Sequence, residues 1–94
     1  MEGKYLPIGS IVKLKEVDVE LMIIGYLKKV EDKIYDYSAC SYPLGIVTSV
    51  LDTAVFNHEQ IEKIYHMGYK SDKFEGINGI LIKVMNAMGK ENDK

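Results

Sequence analysis

The sequence predicts an α+β domain. Its expected form is a small, strongly bent antiparallel sheet or partly open five-stranded barrel, with one short helical turn and a C-terminal amphipathic helix. Three observations predict it. Up to about residue 70, apolar residues recur with period two in short runs separated by turn residues. From Asp72 onward the period becomes that of a helix. The length of 94 residues allows one modest core, burying roughly 60–65% of the surface the unfolded chain exposes. The chain reads as a single domain over 1–94, strand-rich over 6–70 and helical over 72–88, with loose ends at 1–4 and 90–94.

The strands are taken in chain order. In "IGSIVKLK", Ile8, Val12 and Leu14 share one face while Lys13 and Lys15 share the other, the pattern of a half-buried strand. Pro7 stands just before it, where a missing N–H is harmless. The run "VELMIIGYLKK" is apolar on both faces from Leu21 to Ile24, as suits a central strand, and Gly25 marks a bulge or a close backbone approach. A polar turn, "VEDK", leads to "IYDYSA", where Tyr35, Tyr37 and Ala39 oppose Asp36 and Ser38. "YPLG" breaks the chain, because Pro43 presets a turn and Gly45 tolerates positive φ. "TAVF" is short enough for an edge strand.

The stretch "FNHEQIEKIYHMGY" holds both histidines of the chain. Asn57 is a favoured N-cap, and Gln60 stands three positions later, where its side chain can reach back to the cap backbone. Phe56 before the cap and Ile61 at the fourth helical position form a hydrophobic-staple pair. This spacing predicts one tight helical turn, with His58 as its exposed first residue. After the turn, Tyr65, Met67 and Tyr69 alternate with Ile64, His66 and Gly68, which predicts a strand edge over 64–69. In the last third, Phe74, Ile77, Leu81, Val84, Met85 and Met88 form the apolar stripe of a helix over 72–88. Ser71 or Asp72 can cap its start, with Glu75 as a box partner for Asp72, and Gly89 can end it. Gly76 and Gly79 each cost about 1 kcal/mol of helix propensity, so close packing is expected to support the helix there.

Composition excludes several functions. The net charge is −2, and all twelve cationic residues are lysines without a basic stripe, so nucleic acid is not an expected partner. The longest apolar runs, "LMII" and "ILI", are far too short for a membrane span, and "MEGKYLPIGS" lacks the apolar core of a signal peptide. A cytoplasmic location without membrane insertion is expected. Cys40 is the only cysteine, so no internal disulfide forms.

Candidate chemistry is sparse. His58 and His66 are eight positions apart across a change of element, unlike the i, i+4 pairs of helical zinc sites, and no metal or other cofactor is expected. A Cys40 nucleophile would need cationic neighbours or a base, yet the nearest charge in sequence is Asp36, which raises a thiol pKa. Carboxylate pairs such as Glu16/Asp18, Glu31/Asp32 and Glu59/Glu62 fall where turns and helix starts ordinarily place acids. "GINGI" has neither the spacing nor the lysine of a phosphate loop. No catalytic residue is therefore assigned. Seven tyrosines, and apolar residues beyond the main helical stripe, point instead to protein contacts. The candidate partner-binding residues are Tyr65, Met67, Tyr69, Ile80, Met85 and Met88, while Phe56, Asn57, Gln60, Ile61 and Gly68 are candidate structural residues. Ordinary core packing is the competing reading of the same apolar residues. Homo-oligomerisation through the C-terminal helix is a further use of that surface.

The ordered pieces "LPIGSIVKLK", "LMIIGY", "YDYSACSYPLG" and "FNHEQIEKIYHMGY" resemble the small bacterial proteins grouped as domain-of-unknown-function family 4176. The resemblance runs from Leu6 to about Phe74, with the terminal helix largely outside it. One departure is "YPLG", where an acid often precedes the glycine, so a contact made by that acid would be altered at Leu44. Such proteins are associated with type VII secretion genes and LXG-type toxins of Gram-positive bacteria. The resemblance implies a non-enzymatic accessory or chaperone-like protein that binds such a toxin or its export machinery. An immunity protein that neutralises the toxin domain is the alternative. A small thiol- or metal-dependent enzyme is a reading from a different class.

Overall fold

The computed structural model describes residues 5–47 and 53–88. Its elements are β1 (Ile11–Leu14), β2 (Glu20–Val30), β3 (Lys33–Ser41), β4 (Thr53–Phe56), β5 (Ile61–His66) and α1 (Ile77–Met88). Two 3-10 turns, His58–Gln60 and Asp72–Gly76, precede β5 and α1. The strands form one open antiparallel sheet in the order β4-β3-β2-β1-β5, so the fold is α+β.

The run that is apolar on both faces becomes β2, the middle strand. Its pairing with β3 shifts register between Ile23 and Gly25, and a Cβ on Gly25 would stand 2.8 Å from Ser38 Oγ. The bulge expected at Gly25 is present, and the close neighbour there is a side-chain oxygen instead of backbone. "TAVF" is an edge strand, paired with β3 alone among the described residues. The core gathers Val12, Ile23, Tyr37 and Phe56, all fully buried, each contributing roughly 1.5–3 kcal/mol by leaving water.

Several expected boundaries move. Pro7, Ile8 and Gly9 turn before β1, with Gly9 at φ +94°, so Ile8 leaves the inward face that alternation would have it share with Val12 and Leu14 and is 49% exposed. The turn after Asn57 is three residues of 3-10 helix, and Ile61 opens β5 instead of occupying a fourth helical position. Strand structure then ends at His66, ahead of Met67 and Tyr69, so the expected edge over 64–69 is a strand for only its first half.

The last helix begins as the 3-10 turn at Asp72, which Ser71 caps by accepting the Lys73 N–H at 3.2 Å, and becomes α-helical at Ile77. Leu81 is buried, with Ile77, Met85 and Met88 half-buried against the core, whereas Val84 is turned outward. The close packing expected at the two helical glycines is absent: a Cβ on Gly76 or Gly79 would meet nothing within 4 Å. Gly89 and the expected loose ends lie outside the described residues.

Candidate functional site

Two regions carry the residues that the sequence singles out. The first is a polar network beneath the turn after β4. Asn57 N–H donates to the Gln60 side-chain carbonyl at 2.8 Å, the reach-back contact of a capping box. The Asn57 carboxamide oxygen also accepts the Asp36 N–H from β3 at 3.0 Å, so the cap ties two strands together. Alternation along β3 sets Asp36 against the buried tyrosine face, on what should be a polar side. It is itself 4% exposed, and its Oδ2 accepts the His58 backbone N–H at 2.9 Å. A buried carboxylate needs such donors, and the turn supplies one.

His58 is half-buried rather than an exposed first residue, with Nδ1 2.7 Å from the Tyr37 hydroxyl. That hydroxyl accepts the Leu6 N–H at 3.0 Å, and burial pushes the Tyr37 phenol far above its ordinary pKa, so it keeps its proton. The Tyr37 hydroxyl and His58 Nδ1 share this hydrogen bond, whose donor is set by the imidazole tautomer. Tyr26 donates to the Leu6 carbonyl at 2.5 Å. The rings of Tyr5, Tyr26 and Tyr37 meet at centroid separations of 5.5 to 6.0 Å. Burial pushes the Tyr5 phenol up to about 12, with the Asp36 carboxylate as a smaller cause.

Composition offers these three tyrosines as interface rings. They instead form an internal cluster that fastens the chain ahead of β1. Only the alternation around Tyr37 hints at this, because Tyr5 and Tyr26 lie in separate segments that tertiary folding alone brings together.

The second region is the outer edge formed by β5 and the chain after it. Among the described residues β5 pairs with β1 only, and five of its six residues are exposed. Ile64, Tyr65 and Met67 are 42–44% exposed and Tyr69 is 84% exposed. Two register shifts interrupt the β1–β5 pairing, so the free edge is bulged, a shape that discourages addition of a further strand. Lys13 and Glu62 pair across these strands at 2.7 Å, and Lys63 Nζ lies 5.0 Å from the Tyr65 ring centroid.

Gly68 closes the region. It is buried, its N–H donates to Ser10 Oγ at 2.9 Å, and a Cβ there would collide with the Ile8 carbonyl oxygen. Only glycine fits. Of the candidate contact residues on α1, Ile80 is 56% exposed, whereas Met85 and Met88 face inward against the core. The candidate surface therefore reduces to Tyr65, Met67, Tyr69 and, separately, Ile80.

Cys40 is buried in β3, opposite Met22 and Thr53 in the sheet. His66 is exposed at the end of β5. Among the described residues, no group of three or more His, Cys, Asp or Glu side chains is placed to hold a metal ion. A cleft of about 420 Å³ lies between the segment before β1 and the last helix, with Leu6, Pro7, Met67 and Phe74 among its apolar lining and Lys70 and Glu75 among its polar lining. Among the described residues, no helix is long and apolar enough to cross a membrane.

The family model described as Domain of unknown function (DUF4176) matches residues 5–76. The chain belongs to the DUF4176 family. The match takes in all five strands, the Asn57 cap, the tyrosine cluster and Gly68, and stops where α1 begins. No curated protein and no solved structure matches the chain.

Proposed function

We propose that this DUF4176 protein is a non-enzymatic, cytoplasmic accessory or chaperone-like binding protein, and that its partner is a type VII-secreted LXG-type toxin or a component of the export machinery. The observation that carries the binding role is the apolar edge of Ile64, Tyr65, Met67 and Tyr69, exposed along a strand and the chain that continues it. Tyrosine and methionine are favoured in protein interfaces because they offer large apolar area together with a polar or adaptable tip. The bulged edge favours a partner that packs on these side chains over one that extends the sheet. The choice of partner comes from the secretion-gene association of similar proteins.

The test is co-expression with an LXG-type toxin, followed by pull-down. Wild type is expected to retain the toxin, and the triple variant Tyr65→Ser, Met67→Ser, Tyr69→Ser is expected to release it. Equal retention by both proteins would remove this surface from the proposal, and no complex with any neighbouring gene product would sink the binding role. A toxicity assay in the same cells separates the immunity alternative, since an accessory protein leaves toxicity unchanged and alters export.

A further inference from the structure

We infer that α1 is a hinged lid, docked on the body in the structure and able to come away from it, losing its helical order, while the sheet stays folded. Four observations carry this, independently of the binding role. First, Leu81 is the one buried residue of α1, and Ile80, Ile82 and Val84 project from it at 39–56% exposure. Elements with few buried apolar contacts are those that open below the global unfolding free energy. Second, the structure is incompletely filled where α1 starts: Asn78 of α1, with Phe74 and Glu75 of the 3-10 turn before it, lines a cleft of about 420 Å³ together with Tyr5, Leu6 and Pro7.

Third, the junction is built to bend. The backbone changes from 3-10 to α between Gly76 and Ile77, and the open positions at Gly76 and Gly79 show that packing does not require glycine at either. Fourth, the family match ends at Gly76, so the sheet lies within the matched stretch and α1 lies beyond it. A polar latch complements the apolar one: the Tyr5 N–H donates to Asn78 Oδ1 at 3.1 Å, joining α1 to the segment that the tyrosine cluster holds.

Opening would uncover the inner face of Ile77, Leu81, Met85 and Met88 together with the surface beneath it. Detached, a twelve-residue helix is too short to persist in water, so its amides would lose protection when it swings out.

The experiment is native-state hydrogen exchange on the full-length chain. Amides of residues 81–88 are expected to exchange at least about tenfold faster than those of β2 and β3, through an opening that leaves the sheet protected. Leu81→Ala, which raises intrinsic helix propensity while removing the apolar latch, is expected to speed exchange in α1 by a further tenfold or so and to leave β2 and β3 unchanged. Asn78→Ala tests the polar latch and is expected to give about a fivefold increase confined to α1. If α1 of the unaltered protein exchanges together with β2 and β3, or if Leu81→Ala deprotects the sheet as much as the helix, α1 is an integral part of the core and the lid is excluded.

Discussion

β3 and β5 belong to the same sheet and both carry tyrosine, yet they use it in opposite ways. β3 lies between β2 and β4 and buries Ile34, Asp36, Tyr37, Ala39 and Cys40, residues of both its faces. Among the described residues β5 has one neighbouring strand, and it has two bulges and no buried residue. Tyr37 is wholly enclosed and its hydroxyl joins Leu6 to His58, whereas Tyr65 and Tyr69 present their rings to solvent. Position in the sheet, rather than residue type, decides whether a tyrosine is part of the core or part of a surface. The comparison also divides the molecule by task. Stability is concentrated around β2, β3 and the Asn57 turn, and contact surface around β5 and the segment through Tyr69.

Substitutions can break that division or sharpen it. The largest effect is expected at Gly68, where the exposed stretch meets the body. Gly68→Ala forces a Cβ against the Ile8 carbonyl and the Ser10 N–H, and backbone atoms cannot swing aside as a side chain can. Overpacking of this kind is expected to destabilise by roughly 3 kcal/mol, read as a lowered denaturant midpoint. A midpoint equal to wild type would show that Gly68 does not join the two regions. Next comes Tyr37→Phe, which removes the hydroxyl that satisfies Leu6 and His58 and should cost about 2 kcal/mol. Its counterpart on β5, Tyr65→Phe, should stay within about 0.5 kcal/mol. Equal losses at Tyr37 and Tyr65 would erase the distinction between the two strands.

Asn57→Ala ranks third. It removes the hydrogen bond that the Asn57 carboxamide oxygen accepts from the Asp36 N–H and should cost about 1 kcal/mol in thermal or chemical unfolding. Alkaline titration gives a more gradual effect. The Tyr5 and Tyr37 phenols have folded pKa values raised above the ordinary 10.0, so the fold favours their neutral forms. The stability this contributes is fully present below pH 10 and is lost as the pH rises from there, through about 12 for Tyr5. Melting temperatures measured from about pH 9 to 12 should fall over that window, and the fall should shrink in Tyr37→Phe. The smallest effect belongs to Glu62→Gln, which removes an exposed ion pair with Lys13 and should leave the melting temperature unchanged.

Much of this is legible before folding, for local reasons. The reach of Gln60 to the Asn57 backbone, the bulge at Gly25, the central place of β2 and the cap at Ser71 all depend on residues close in sequence or on a strand's own periodicity. The readings that move depend on distant partners. Asp36 looks like the polar face of a strand until Asn57 and His58 arrive from the turn after β4. Met85 and Met88 look available for a partner until the helix lies down on the core. Ile8 fits a strand pattern until the turn at Gly9 removes it from β1.

What the sequence determined by itself was therefore the class of fold, the order and type of its elements, and the turn chemistry that separates them, because side-chain periodicity and capping act over a few residues. Only the tertiary structure decided which tyrosines are enclosed, which face of α1 is free, and why glycine stands at position 68. Those outcomes depend on whether chain segments distant in sequence approach within a few ångströms, and the free energy of excluding water or satisfying a buried N–H exists only once they have met.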